Sequence, residues 1–317
     1  MIEITVIIPT LNEEKYIGNL LDGLYLHNNC RMEVLVFDGG STDQTKQIVL
    51  NKAYPNLKLI ENESKFVSYA FNEGYHLAKG KFIALLGAHA VYPPKYLDTA
   101  LAYLEGGECD AVGGPIIQIG KNNKGKAIAY AMSTKFGVGD TAFRTEKKKM
   151  YVESVAFAVY KRSIFEQVGL LDTSLKRNQD DELHYRINAA GFKILMVPEL
   201  SCNYFVRDSF LRLFHQYFEY GLYKPLVFKR VKSGMRLRHL IPSLFLCYII
   251  LLIPLTYLCL NLALFIPLCM YFICAVYFTM VSHIKVKNWI YIPIAYLILH
   301  LSYGTGFLLG LSKYFEK

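Results

Sequence analysis

Four short segments carry the residue types that could do chemistry. Pro9-Thr10-Leu11-Asn12-Glu13-Glu14 sets two acids and two neutral polar side chains behind an apolar run. Val34–Phe37 stop at Asp38, after which two glycines turn the chain into Ser41-Thr42-Asp43. Gly87-Ala88-His89 follows the apolar Phe82–Leu86. Asp180-Asp181-Glu182 are three consecutive acids beside an apolar helix face of Leu183, Ile187 and Ala190. Open α/β sheets bind ligands where strands end and helices begin, so Asp38 would accept hydrogen bonds from a ribose or a base. The same residues equally suit an ordinary βα turn. Close carboxylates raise one another's pKa values, which favours proton uptake near neutral pH. An acidic first turn that complements the helix dipole is the plainer reading, and it suits Glu182 best. A lone histidine such as His89 is by default a hydrogen-bonded loop residue.

The elements that must position these groups alternate. Ile2–Pro9, Glu33–Phe37, Leu57–Ile60, Phe82–Leu86 and Asp110–Gly114 read as strands. Between them Ile17, Leu20, Leu21 and Leu24, then residues 66–79, then Leu97, Ala100, Leu101 and Leu104 recur at helical spacing. Asn12 is expected to cap the first helix, and Ser41 with Gln44 fits a capping box for the second. This is an α/β domain with a mostly parallel sheet. Residues 120–150 read as a long loop, which in a compact domain is functional or mobile.

The chain has 317 residues, 53% of them hydrophobic, and a net charge of +9. His239–Ile284 contains no Asp, Glu, Lys or Arg, and neither does Asn288–Ser312. A spanning helix needs about 20 apolar residues, so the first run allows two crossings with a break near Cys259–Asn261, and the second allows one. The expected spans are 240–259, 262–282 and 289–311. The N-terminus lacks the basic lead-in of a secretory signal, so the N-terminal domain is expected in the cytoplasm. Eight Lys or Arg against Asp208 and Glu219 between Phe205 and His239, with Lys285 and Lys287 later, agree with that side. Residues 208–223 look amphipathic, with Phe210, Phe214, Tyr217, Phe218 and Leu222 on one side, as in a helix lying in the membrane interface. The basic run Lys229–Arg238 suits anionic lipid or a lipid diphosphate. Because the positive charge sits against the spans, nucleic acid is not the expected partner.

In order along residues 1–225, the motifs resemble those of family 2 glycosyltransferases with a GT-A fold. They are Ile7-Ile8-Pro9-Thr10-Leu11-Asn12-Glu13-Glu14, Asp38-Gly39-Gly40-Ser41-Thr42-Asp43, Asn72-Glu73-Gly74 with Ala78-Lys79-Gly80, and Val168-Gly169-Leu170-Leu171-Asp172 before Gln179-Asp180-Asp181-Glu182. Ala88-His89-Ala90 with Tyr92-Pro93-Pro94, Asn178–Glu182 and Gln216–Gly221 are most similar to the membrane-anchored, ExoA-like succinoglycan glucosyltransferase subgroup.

The resemblance implies a GT-A (Rossmann-like) catalytic domain over 1–204, while composition puts a membrane-interface segment over 205–239 and transmembrane helices over 240–312. It implies inverting transfer from a nucleotide-sugar donor of the UDP type to a polyprenyl-diphosphate-linked saccharide, at the cell (inner) membrane, in surface polysaccharide assembly. Thr10, Glu13, Asp38 and Asn72 would contact the nucleoside, and Gln216 and Tyr220 would touch donor or acceptor. Asp180 falls on the family's base position, with Asp181 its competitor. Arg144 and Glu153 are candidate sugar selectors. The family's Asp-x-Asp, which holds Mn2+ or Mg2+ against the diphosphate, is here Gly87-Ala88-His89, so His89 takes the place of the metal-contacting acid. Mg2+ favours oxygen ligands and Mn2+ accepts imidazole more readily. The rival readings are transfer to a polyprenyl monophosphate and a non-catalytic membrane scaffold.

Overall fold

The computed structural model describes residues 1–231, 235–259, 261–285 and 288–315, so Lys232, Leu260 and Lys287 lie outside it. Packing divides the chain into two units: 1–117 with 146–204, and 118–145 with 205 onward.

The first unit is built on eight strands: β1 (Ile4–Thr10), β2 (Met32–Asp38), β3 (Leu57–Glu61), β4 (Phe82–Leu85), β6 (Ala111–Gly114), β8 (Met150–Tyr151), β9 (Ala156–Lys161) and β10 (Ile194–Met196). Their order is β3-β2-β1-β4-β9-β6-β10-β8. A second, three-stranded sheet stands apart, in the order β5 (Ala90–Val91), β11 (Cys202–Phe205), β7 (Ile116–Ile119). All of β2 and nearly all of β1 are buried, because helices cover both faces and leave an unbroken apolar run rather than an alternating one. Parallel pairing puts the ends of β1, β2 and β4 at one edge, with Thr10 opposite Asp38 and Ile7 opposite Leu85. β9 runs antiparallel to β4, with Val159 opposite Ala84. Its first residues, Ala156 and Phe157, therefore lie at that same edge.

The Asn72-Glu73-Gly74 and Ala78-Lys79-Gly80 motifs are packing devices. A Cβ on Gly74 would stand 2.8 Å from Ile7 Cδ1, and one on Gly80 would stand 2.6 Å from the Thr5 nitrogen. Buried Glu33 accepts from Thr5 Oγ1 (2.7 Å) and the Lys79 nitrogen (2.6 Å). Two helix starts differ from expectation. The first helix begins at Ile17, and Asn12 adopts φ 55°. Asn12 ties its own turn to the next instead: its N–H donates to Ser41 Oγ (2.8 Å) and its Oδ1 accepts from the Thr42 nitrogen (2.9 Å). The second helix begins at Thr45, whose N–H donates to Asp43 Oδ1 (3.0 Å), so Ser41 and Gln44 form no capping box. Bonds between the two turns displace the local caps.

In the second unit, residues 118–145, most of the 120–150 expected as a loop, contain helices at Asn123–Ala131, Lys135–Val138 and Ala142–Thr145. They pack with the membrane helices, not with the 1–204 domain expected from sequence. The apolar stretches Leu237–Leu258, Leu262–Met280 and Tyr291–Lys313 are long enough to cross a bilayer, close to the expected spans. The amphipathic stretch is a longer helix, Phe210–Val231, and its buried residues include Leu213, Tyr217, Gly221 and Phe228. It lies directly on the third spanning helix. A Cβ on Gly221 would fall 2.2 Å from the Tyr303 oxygen, one on Gly306 2.1 Å from the Phe218 oxygen, and one on Gly310 2.4 Å from the Leu222 oxygen. Small residues let helix backbones approach closely inside a membrane, a signal that apolar periodicity does not carry.

Candidate active site

The site grows from the strand ends of the first unit. Asp38 closes β2 and is 1% exposed. Its Oδ2 accepts from the backbone nitrogens of Gly40 (2.9 Å) and Ser41 (2.8 Å), and Lys46 Nζ stands 3.6 Å away. Among the described residues its Oδ1 is buried with no hydrogen-bond partner. An unsatisfied buried acceptor costs about 1–3 kcal/mol, so this oxygen is poised to receive a donor. Thr10 closes β1; its Oγ1 donates to the Phe37 oxygen (3.2 Å) and its carbonyl accepts from the Gly39 nitrogen (2.8 Å). The turn after β1 brings Glu13 to His89, with Oε1 and Nδ1 3.0 Å apart.

Around His89 the floor is aromatic. Phe157, at φ 53°, sends its carbonyl to the Tyr96 hydroxyl (2.7 Å). A Cβ on Gly87 would stand 2.6 Å from Phe157 Cε1, so an acidic side chain there would have to displace that ring. Tyr92 fixes the same turn: the Gly87 nitrogen donates to its hydroxyl (2.8 Å). The ring of Tyr204 lies 5.3 Å from that of His89.

The acidic run begins the helix Gln179–Ala189. Asp180 is exposed, Asp181 half-buried and Glu182 buried. Glu182 is committed to Arg186 through two 2.7 Å bonds, and Arg186 also donates to the carbonyls of Val168, Gly169 and Leu170. Asn72 grips the next residue, donating to the Leu171 oxygen (2.9 Å) and accepting from its nitrogen (3.0 Å). It therefore fastens the segment that leads into the acidic run. Asp181 ends a directed chain. Ser154 Oγ donates to Asp181 Oδ1 (3.0 Å), so it accepts from His184 Nδ1 (2.9 Å), and His184 Nε2 (2.8 Å) accepts the Tyr160 hydroxyl. Burial pushes His184 down to about 4, which keeps the imidazole neutral in this chain. Burial, then the charge of Asp180, raises Tyr160 well above the ordinary phenol range.

The strand edge thus gathers Thr10, Glu13, Asp38 and His89, and Ser154, two residues before β9 begins there, reaches the acidic helix. Gln216 and Tyr220 belong to the second unit, where Gln216 Nε2 donates to the Tyr220 hydroxyl (3.0 Å) and, among the described residues, Gln216 Oε1 is buried without a partner. Of the two candidate sugar selectors, Arg144 falls in the second unit and Glu153 in the first.

The family model for glycosyl transferase family 2 matches residues 5–169. This chain belongs to that family. It is 30% identical over 98% of its length, and 97% of the relative's, to a dolichyl N-acetyl-alpha-D-glucosaminyl phosphate 3-beta-D-2,3-diacetamido-2,3-dideoxy-beta-D-glucuronosyltransferase of Methanococcus voltae. It is also 30% identical, over 75% of its length and 73% of the relative's, to the succinoglycan biosynthesis protein ExoA of Rhizobium meliloti. A mannosyltransferase of Pyrobaculum calidifontis, solved with GDP-Man and Mn2+, superposes with a TM-score of 0.66 at 19% identity, covering 95% of this chain and 86% of that one. The fold is therefore GT-A-like and the protein is a glycosyltransferase.

Family 2 enzymes of this fold invite a divalent cation, but the residues at the motif position do not build a site for one. Gly87 carries no acid and the Phe157 ring crowds its Cβ position, and His89 Nδ1 is engaged by Glu13. Among the described residues no group of three or more His, Cys, Asp or Glu side chains could hold a metal ion. Two side chains would hold such an ion only together with the donor's phosphate oxygens. Reading the sequence missed Glu13's partnership with His89 and the Ser154–His184–Tyr160 chain. His184, next to the apolar Leu183 and two residues past the acids, was the available signal; Ser154 and Tyr160 carried none.

Proposed function

We propose that this glycosyltransferase moves a sugar, with inversion, from a UDP-type nucleotide sugar to a membrane-borne, lipid-linked saccharide in surface polysaccharide assembly. The observation that carries the reading is the buried, partnerless Asp38 Oδ1 at a parallel-strand end, where a nucleoside hydroxyl or imino group would donate to it. Thr10 and Glu13 flank that position. His89, oriented by Glu13, is the protein's side of the donor diphosphate, and Mn2+ or Mg2+ would arrive on the donor. Exposed Asp180 takes the proton of the acceptor hydroxyl as its oxygen bonds to the anomeric carbon. The bond from that carbon to the diphosphate breaks, and its electron pair leaves with the nucleoside diphosphate. Asp181, fixed by Ser154, orients the first turn that carries Asp180. Asn72 acts as a positioning residue for the same region. Gln216 and Tyr220 are candidate acceptor contacts.

The relative from Methanococcus voltae supports a saccharide acceptor joined to its lipid by phosphate; ExoA supports polysaccharide assembly. Whether the link is a monophosphate or a diphosphate separates two forms of one reading. The basic residues between Phe205 and His239 favour a catalytic unit on the cytoplasmic side.

The test offers the purified protein in nanodiscs labelled UDP-glucose, UDP-N-acetylglucosamine and GDP-mannose, with polyprenyl monophosphate, polyprenyl-phosphate saccharides and polyprenyl-diphosphate saccharides. Transfer to a lipid-linked saccharide is the expected result. Transfer to bare polyprenyl phosphate would replace the acceptor class, and no binding of UDP or GDP at all would favour a scaffold.

A further inference from the structure

In the second unit, residues 122–140 are held against all three apolar helices. Asn122 Nδ2 donates to the Asp208 oxygen (3.3 Å), and Lys124 Nζ lies 5.8 Å from the Phe210 ring, which lies 6.1 Å from the Tyr291 ring. Tyr291 begins the third span, so the segment starts at the span ends. The helix Asn123–Ala131 then carries the chain inward; its nine residues amount to about 13 Å of rise. On the return, Asp140 pairs with Arg238 and, at 3.6 Å, with Arg236, at the start of the first span.

Between those ends the segment is held by the spanning helices. Tyr130 donates to the Phe278 oxygen (2.7 Å), Thr134 Oγ1 and the Tyr296 hydroxyl are 3.0 Å apart, and His300 Nε2 donates to the Phe136 oxygen (2.9 Å). His300 Nδ1 then accepts from the Tyr271 hydroxyl (2.9 Å). The Phe136 ring stands 4.8 to 5.5 Å from the rings of Tyr296, His300, Tyr271 and Phe278. Tyr271 and His300 each lie nine residues inside their spans, about 13 Å of rise, and Tyr296 lies five inside, about 8 Å. Irregular backbone at such depth requires polar partners within the protein, and these side chains supply them. Gly137 permits the close turn: a Cβ there would meet the Ala131 oxygen at 2.0 Å. The exposed Lys135 has a stem long enough to return its ammonium towards the headgroups.

We propose that residues 123–140 form a re-entrant element, inserted in the bilayer from the side where the first span starts, with His300 as its polar clip. Its partner is phospholipid, from the headgroup level at Lys124 and Asp140 to the upper acyl chains beside Phe136. The inference rests on the three helices spanning a bilayer, and the experiment separates the two. In a Trp289→Phe background, one tryptophan reporter is placed by Phe136→Trp, or by Ser133→Trp should the first fail to fold, and a reference by Ile250→Trp. Nanodiscs carry phosphatidylcholine with dibrominated acyl chains. We expect bromine to quench the segment reporter and the reference alike, and aqueous acrylamide to spare both. Acrylamide quenching of the segment reporter without bromine quenching, beside a bromine-quenched reference, overturns the re-entrant element. An unquenched reference overturns the spans themselves. His300→Leu in the reporter background should red-shift the emission and admit acrylamide, while His300→Gln restores the shielded spectrum; no change in His300→Leu removes the clip.

Discussion

At the scale of single residues, the buried face of Asp38 and the chain ending on Asp181 make distinct demands. Asp38→Asn keeps the side chain's size but removes its charge and turns one acceptor into a donor. It should weaken UDP or GDP binding at least about tenfold by calorimetry, equivalent to about 1.4 kcal/mol. Asp180→Asn should leave nucleotide affinity intact and lower kcat by about 10²–10⁴, the usual contribution of a general base. Ser154→Ala should lower kcat about tenfold with little change in donor KM, because it loosens a geometry rather than removing the reacting group. His184 also sets a pH dependence. Its value in the fold, about 4, lies below its ordinary 6.5, so the unfolded chain takes up the proton first as pH falls. That stabilisation is complete above pH 6.5 and about 3 kcal/mol of it is lost as pH falls from there to about 4. Chemical unfolding of wild type and His184→Asn across that window should show a flatter slope for the variant. At this scale the sequence pointed to Asp38, Glu13 and the acidic run through their types and spacing. It said nothing of Ser154 and Tyr160, which reach His184 only because β9 starts at the edge where β4 ends.

At the scale of elements, the motif position after β4 is closed by packing. Gly87→Asp would restore an acid to the family pattern, yet its Cβ would meet the Phe157 ring, held by a left-handed backbone. The variant should lose about 1–3 kcal/mol of stability, read as a lower midpoint of thermal unfolding, and should not gain turnover at any Mn2+ concentration. The contact of the Phe210–Val231 helix with the third span predicts a parallel loss: Gly306→Leu should lower thermal stability in detergent where Leu309→Ala, on an exposed position, does not. The element boundaries expected from apolar periodicity matched the sheet and the spans well. The misplaced caps at Asn12 and Ser41 have one cause: a polar side chain near a helix start looks the same whether it bonds its own helix or a turn 30 residues away.

At the scale of the whole molecule, the segment 118–145 decides how the chain can be cut. A protein ending at Tyr204 contains every motif of the strand edge, but leaves Tyr130, Thr134 and Phe136 without the helices that satisfy them. Expressed alone it should aggregate on size-exclusion chromatography, and replacing 120–144 by a Gly/Ser linker should recover a larger soluble fraction. Equal behaviour of the two proteins would contradict the division into units.

Sequence alone determined the α/β order, the strand-end acids, the three apolar spans and, through motifs read in order, membership of a glycosyltransferase family. Those properties are local: they live in the periodicity of a strand or helix and in residues a few positions apart. Only the tertiary structure decided that Asn72 and Arg186 fasten backbone, that Glu13 belongs to His89, that Asp181 is held while Asp180 is exposed, and that residues 118–145 pack among membrane helices. The pairings involved run across 16 to 164 residues. The hydrogen-bonding groups involved could have found many partners, and only the packed sheet and helices bring one of them within reach.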